Sequence, residues 1–323
     1  MIRFIIRRLV IIPPALLLLN FLGFSYAYLV RPQRAARTPY LRAILPDTGP
    51  LLPTYVDYLK GLLELDLGMM PTTEERLVDA LTNATVASFG LLGLALGLSV
   101  VIGLVLGIVA VRVEPPRVSR WLPLVSTIGL AMPSFYIGSL FVLGAFSLIM
   151  FRPNSGFFLP MGGFGWDLHI LLPTVSLMLR PMVHLAQVTS GLLVGELGKQ
   201  YVVTARSVGN PWSVVRKRHT LRNILAPVIL SISRSMRLLV GDLILVEWLF
   251  RWPGLGNLLA HTLIPSISSI DLGSPLFLDP PVLATLLIII GALFLVADLT
   301  ASILVRVIDP RLQDLDQGEV TNV

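Results

Sequence analysis

The chain has 323 residues, of which 54% are hydrophobic and only 14% are charged. A soluble domain of this length rarely carries so little charge, and several apolar runs reach the roughly 18 residues that a membrane-crossing helix needs. The formal net charge of +6 is explained by cytoplasmic loops that retain Lys and Arg, and no basic soluble face indicates nucleic-acid binding. Because the sequence lacks cysteine, disulfides and thiolate metal sites are excluded. We predict one polytopic membrane domain over residues 1–323.

The N-terminal apolar run begins with the basic stretch MIRFIIRRLVIIP, which is typical of signal peptides. The run continues to about Val30, which is longer than a signal-peptide core, and no small-x-small cleavage site follows it. We therefore expect an uncleaved transmembrane helix. In all, the apolar runs predict six spans, at about 9–30, 84–111, 122–150, 168–190, 224–250 and 281–305.

The first loop, 31–83, contains the stretch YVDYLKGLLELDLG, whose apolar residues recur at helical spacing. It predicts a short helix on the outer surface of the bundle. The later loop 251–280 is rich in Pro, Gly and Ser, as expected of a connection. The short loops on the side of the N-terminus hold most of the Lys and Arg, so both termini are expected in the cytoplasm. A basic cluster after the first span (Arg31, Arg34 and Arg37) is a counter-signal.

The cytoplasmic segment 199–223 interrupts the apolar pattern with YVVTARSVGNPWSVVRKRHTLRN at 201–223. Gly209 allows a positive φ and Pro211 cannot donate a backbone hydrogen bond, so the two residues predict a break between two short helices. A basic loop held inside by charge is one interpretation. The other is a surface for a partner, because apolar residues from Tyr201 to Trp212 follow helical spacing.

The fifth span, ILAPVILSISRSMRLLVGDLILVEWLF, carries charges within the expected bilayer: Arg234, Arg237, Asp242 and Glu247. Such groups are costly unless they are paired or face water. Helical geometry allows the first three to face the bundle interior, and Arg180 and His184 share a face of the fourth span. Two interpretations explain this pattern. The charges form internal ion pairs that fix the helices, or they give a translocation path a net-basic lining suited to anionic solutes.

The stretch WPGLG at 252–256 ends the fifth span on the outer side. Its residues predict a tight turn, with Trp252 at the membrane interface and with Pro253, Gly254 and Gly256 shaping the backbone. There are two interpretations of this stretch. It is a structural re-entrant turn, or it contacts the substrate or a docked binding protein. No P-loop, HExxH or GxSxG motif occurs in the sequence, so we predict no catalytic residue and no metal site.

The segment YVVTARSVGNPWSVVRKRHTLRNILAP resembles the EAA loop of ABC-importer permeases of the dipeptide, oligopeptide and nickel subfamily. Other stretches resemble the same family in the same order, so the chain is identified as a member, on the side of the first of two paralogous permeases. These stretches are IRFIIRRLVIIP, YVDYLKGLLELDLG, LPTVSLMLRP (172–181), VEWLFRWPGLGNLL (246–259) and DPR (309–311). The sequence departs from the family where Gln187 and Ser190 replace arginines, Val208 replaces a lysine and Val203 a glutamate.

The resemblance implies an all-α, six-span permease of the type I importer kind with a cytoplasmic EAA-like coupling segment. It implies a multi-pass protein of the prokaryotic cytoplasmic (inner) membrane that forms half of a path for peptides or a related small solute. The implied partners are a paralogous second permease, two ATPase subunits that bind ATP and Mg, and an extracytoplasmic solute-binding protein; this chain itself would bind no cofactor. The implied ATPase-coupling residues are Tyr201, Thr204, Ala205, Arg206, Gly209, Pro211, His219 and Arg222. An ATPase-independent secondary transporter or channel is the alternative.

Overall fold

The computed structural model describes residues 2–35, 49–69, 75–151, 160–264 and 276–308. Within these ranges the predicted all-α class is confirmed, apart from a small antiparallel hairpin of β1 (Val111–Arg112) and β2 (Arg117–Val118) and one isolated bridge. Ten helices are labelled: α1 Ile2–Ala35, α2 Leu51–Glu64, α3 Leu77–Val109, α4 Trp121–Ala131, α5 Ser134–Phe151, α6 Leu171–Leu197, α7 Gln200–Ser207, α8 Leu221–Leu249, α9 Leu255–Leu263 and α10 Pro280–Ile308. A 3₁₀ turn, Leu168–Ile170, precedes α6, and short turns over Trp212–Val214 and Val215–Thr220 lead into α8.

Among the described residues, five stretches are long and apolar enough to cross a membrane. They are Ile5–Gln33, Leu77–Val109, Ser134–Phe151, Leu168–Leu197 and Pro280–Leu304. The predicted fifth span folds as α8, whose 29 residues give a length of about 43 Å. It is not one of the five, because its charged side chains lower its apolar character. The sixth crossing therefore stays a prediction.

The predicted third span, 122–150, is wrong as a single helix. It divides into α4 and α5 at Met132 and Pro133, where Met132 has the extended angles φ −90° and ψ 123°. Proline lacks a backbone N–H and disfavours helical geometry in the residue before it, so the helix ends there. The 18 residues of α5 meet the length for a span alone. Further, α1 and α3 begin earlier than predicted, and α6 continues to Leu197.

Helix α6 lies at the centre of the bundle and contacts α3, α4, α5 and α8. Its approach to α3 depends on glycine: a Cβ on Gly103 would meet the carbonyl oxygen of Met182, and one on Gly107 would meet that of Ala186. Small residues at such positions let two membrane helices pack backbone to backbone. Gly103 and Gly107 therefore act in the packing of α3 against α6.

The predicted helix of the first loop is confirmed as α2, which lies against α1. Tyr55 Oη donates a hydrogen bond to Asn20 Oδ1 at 2.9 Å, and Asn20 Nδ2 donates to Tyr58 Oη at 2.9 Å. Tyr58 Oη also lies 3.0 Å from Thr285 Oγ1 of α10. Burial raises the pKa of Tyr58. The DPR motif at 309–311 and parts of the loops 31–83 and 251–280 lie outside the described residues.

Candidate functional site

The predicted break in the segment 199–223 is confirmed. Helix α7 ends at Ser207, and Gly209 follows with φ +90°, a conformation that residues with a Cβ rarely adopt. Pro211, which is exposed and extended, then precedes the turns that lead into α8. The break therefore follows from two residues that were recognisable in the sequence.

Two internal contacts hold the far side of the break. Arg206 Nη1 donates a hydrogen bond to the carbonyl oxygen of Asn210 at 2.8 Å, and its guanidinium lies 4.5 Å from the centre of the Trp212 ring. Trp212 Nε1 donates to Glu114 Oε1 at 2.9 Å, in the turn between β1 and β2. Arg206 thus shapes the segment from within, and Trp212 ties it to the hairpin that follows α3.

The near side of α7 is tied to the end of α6. Glu196 accepts hydrogen bonds from Lys199, from Tyr201 Oη at 2.8 Å and from Asn223 Nδ2 at 3.3 Å. Burial, together with the hydrogen bond to Glu196, raises the pKa of Tyr201, and the hydrogen bond to Glu196 raises that of Lys199. Tyr201 therefore connects α7 to α6 and, through Asn223, to the start of α8.

Two apolar side chains are exposed on α7 and on the turn that follows it. Val203 and Val208 are 59% and 78% exposed, and Thr204 and Gly209 beside them are also exposed. Val202 on the opposite side is buried. The signal was present, because both valines stand where the related permeases have charged residues.

The remaining predicted coupling residues have separate surroundings. Ala205 is half-buried on α7. His219 is half-buried and Arg222 is exposed, and both lie after the break, in the part that leads into α8. The structure therefore does not bring all eight predicted residues onto one surface.

Arg237 belongs to an ion-pair network that joins three helices. Its Nη1 lies 2.7 Å from Asp298 Oδ1 of α10, while Arg8 of α1 pairs with the other carboxylate oxygen. Arg8 also donates to Ser302 Oγ at 3.0 Å. The sequence analysis missed this pairing, although Asp298 interrupts the predicted span 281–305 and Arg8 stands directly before the predicted span 9–30.

Asp242 lies in a second polar cluster, between α5, α6 and α8. It accepts a hydrogen bond from Ser134 Oγ at 2.5 Å, and Arg180 Nη1 lies 3.7 Å from the same carboxylate oxygen. These contacts favour the interpretation that Asp242 and Arg180 pair internally and hold the helices together.

Arg234 differs from its neighbours because its side chain is exposed on the surface of the chain. Within the described residues no acidic group forms an ion pair with it. Helical geometry allowed Arg234, Arg237 and Asp242 all to face the bundle interior, and Arg234 is the one of the three that is exposed.

Glu247 is fully buried near the C-terminal end of α8. It accepts hydrogen bonds from Ser88 Oγ and from the backbone N–H of Gly256, both at 2.6 Å. Ser88 Oγ in turn accepts the N–H of Leu255 at 2.9 Å. The carboxylate therefore joins α3, α8 and the first turn of α9, and it does not line a surface.

The WPGLG turn is shaped by burial. Trp252 is 0% exposed and its Nε1 donates to the carbonyl oxygen of Ala87 at 3.1 Å, so its predicted place at the membrane interface is wrong. A Cβ on Gly254 would meet the Glu247 carboxylate, and one on Gly256 would meet the backbone of Ile244. Of the motif, only Pro253 is exposed, which favours the structural interpretation.

The pattern of apolar helices, a basic segment with a broken helix and a buried outer turn has a counterpart among known families. A family model described as "Binding-protein-dependent transport system inner membrane component" matches residues 77–314, which include the described residues from α3 to α10. The chain belongs to this family. The permease is therefore an inner-membrane, multi-pass subunit of a binding-protein-dependent importer.

Individual relatives are similar in sequence to nearly the whole permease. It is 26% identical to the glutathione transport system permease protein GsiC of Pectobacterium atrosepticum, over 97% of this chain and 99% of the relative. It is 24% identical to GsiC of Escherichia coli over the same shares. It is 28% identical to the probable peptide ABC transporter permease protein y4tP of Sinorhizobium fredii, over 84% of each chain.

Membership of this family decides between the alternatives that the sequence left open. The permease is a non-catalytic component of a complex whose type implies ATPase subunits and a solute-binding protein. A secondary transporter or channel that works without such partners is therefore excluded as its function. In a complex of this type the ATPase subunits bind ATP.

Proposed function

We propose that the permease forms one half of a translocation path together with a paralogous second permease, with both termini in the cytoplasm. We further propose that ATPase subunits dock on the exposed surface of α7 and of the turn after it, which includes Val203, Thr204, Val208 and Gly209. The observation that carries the proposal is the pair of exposed valines, one on α7 and one directly after it, in a segment that is anchored on both sides.

Exposed apolar side chains outside the membrane favour contact with another protein. An amphipathic helix laid into a groove is a recurrent mode of docking. The contacts of Tyr201 and Trp212 connect α7 to α6, α8 and the hairpin after α3, so a displacement of α7 would be passed on to the bundle. An ATPase that binds α7 differently in its open and closed states could thereby shift the path between inward-open and outward-open forms.

The solute is proposed to be a peptide or a related small molecule. The support is the similarity to permeases named for glutathione and for peptides. Uptake of radiolabelled glutathione and of di- and tripeptides by cells that lack the permease, with and without restoration of its gene, tests this class. Equal uptake in both strains for all of these solutes would remove it.

The docking proposal is tested by placing a charge on α7. Val203→Glu and Val208→Glu should each reduce the amount of ATPase that copurifies with the permease. The matched control is Ser213→Glu, which introduces the same charge at an exposed position beyond the break. Normal copurification and normal ATPase stimulation in both valine variants would refute the assignment. Loss of the ATPase only on charge reversal of the exposed Arg218 would assign docking to the basic half instead.

A further inference from the structure

A row of polar side chains follows one face of α6. Arg180, His184 and Gln187 are spaced by four and three residues, which places them on one side of a helix. Gln187 is exposed, and the other two are half-buried. Such a row is unexpected on the surface of a membrane helix, because polar side chains there are costly in contact with lipid.

Arg234 of α8 lies beside this row. Helices α6 and α8 run antiparallel, since Glu196 contacts Asn223 at one end and Arg180 contacts Asp242 towards the other. The same register brings Arg234 level with the part of α6 that holds Gln187, one turn from His184. The exposed guanidinium and the polar row therefore belong to one surface.

This surface lies midway along the two helices. His184 is the midpoint of α6 (Leu171–Leu197), and Arg234 is close to the midpoint of α8 (Leu221–Leu249). Each is about 20 Å from either end of its helix. In a helix that crosses the bilayer, neither side chain is long enough to reach the polar boundary from this position.

The acids of the bundle are already engaged elsewhere. Asp298 is shared by two arginines, and Asp242 is held by Ser134 and Arg180. Glu247 is enclosed by Ser88 and Gly256. Among the described residues, Arg234 is thus a cation in the middle of a span with no acid to neutralise it.

We propose that Arg234, with His184 and Gln187, forms a site midway along the translocation path that binds the carboxylate of a passing solute. A guanidinium offers two parallel N–H donors that match a carboxylate, and the Gln187 amide adds a neutral donor beside it. The inference rests on the proposed function, because it requires that this surface line the path and not contact lipid.

The absence of cysteine from the chain supplies a direct test. Gln187→Cys introduces a single thiol beside Arg234, in membranes that contain the complete complex. Its rate of modification is measured with anionic sulfonatoethyl methanethiosulfonate and with cationic trimethylammonioethyl methanethiosulfonate, and labelling is followed on this chain by a gel shift.

We expect the thiol to react with water-soluble reagents, and the anionic reagent to be favoured. Adding Arg234→Gln should lower the ratio of anionic to cationic rates by about tenfold, which is the effect of one unit charge across a water-lined site. Arg234→Lys should keep most of the preference. Arg120→Gln, which removes an exposed charge outside the bundle, is the matched control and should leave the ratio unchanged.

Acetate serves as a carboxylate probe in the same assay. It should slow modification by the anionic reagent more than chloride of equal concentration does, and this difference should vanish with Arg234→Gln. If neither reagent modifies the thiol, or if Arg234→Gln leaves the ratio of anionic to cationic rates unchanged, the proposed site is refuted. If acetate and chloride slow the anionic reagent equally, its preference for a carboxylate is refuted. Copurification of the ATPase is scored on the same membranes, so loss of the proposed function is recognised separately from loss of the anion site.

Discussion

The junction of α3, α8 and α9 provides a quantitative test of the structure through Ser88→Ala. The Ser88 hydroxyl donates to the Glu247 carboxylate at 2.6 Å and accepts the N–H of Leu255 at 2.9 Å. Both partners are fully buried. Alanine removes the donor and the acceptor together. Because the site is buried, neither the Glu247 carboxylate nor the Leu255 N–H can bind water instead.

The expected cost follows from the two lost contacts. A hydrogen bond to a charged group contributes about 1.5–3 kcal/mol, and a buried backbone N–H without a partner costs about 1–3 kcal/mol. Because the two terms overlap in part, we expect a destabilisation of about 3 kcal/mol. At roughly 2 °C per kcal/mol for a chain of this size, the apparent Tm should fall by about 6 °C.

The assay is the heat-dependent loss of the monodisperse peak in size-exclusion chromatography of the detergent-solubilised permease. Ser176→Ala is the matched control: Ser176 is also fully buried, but its hydroxyl donates only to the Leu172 carbonyl of its own helix, at 2.8 Å. It should shift the apparent Tm by about 2 °C or less, because an intrahelical hydroxyl bond contributes little. Equal shifts for the two variants would show that the hydrogen bonds around Glu247 do not hold the outer turn.

Three further substitutions test other parts of the molecule. Asp298→Asn releases two arginines inside the bundle and should reduce the yield of monodisperse permease severalfold, more than Asp242→Asn, whose arginine lies at a longer distance; equal yields would contradict the network. Glu114→Ala removes the acceptor of Trp212 and should lower transport per ATP hydrolysed while ATPase copurification persists; unchanged coupling would show that the hairpin does not brace α7. Gly209→Val forces a β-branched residue to φ +90° at a cost of about 1–3 kcal/mol and should reduce ATPase copurification, whereas Gly209→Asn should be milder; equal binding of both would argue against a fixed turn.

Local rules were sufficient for much of the fold. Apolar length located every long helix, because lipid permits few other ways to bury a backbone. Gly209 and Pro211 located the break in the coupling segment, because each imposes its own backbone geometry. The division of the third span at Pro133 obeys the same rule, but the long apolar run obscured it.

Contacts between distant segments could not be inferred in the same way. Nothing local to Asp298 indicates that Arg8 pairs with it across the length of the chain. Trp252 is adjacent to a glycine-rich turn and was expected at the interface, but the carbonyl of Ala87 gives its indole N–H a buried partner. Helical periodicity assigns a direction to a side chain, and only the packed neighbours determine what lies in that direction.

The charges of α8 illustrate why this limit matters for function. Arg234 and Arg237 are one turn apart and identical in chemistry, so sequence alone gives them the same two interpretations. The structure separates them, because Arg237 has an acid within 2.7 Å and Arg234 faces outward beside His184. A charge that completes an ion pair is explained by packing, since removing its partner would leave an uncompensated charge. A charge midway along a long helix that has no acidic partner among the described residues requires water or a ligand.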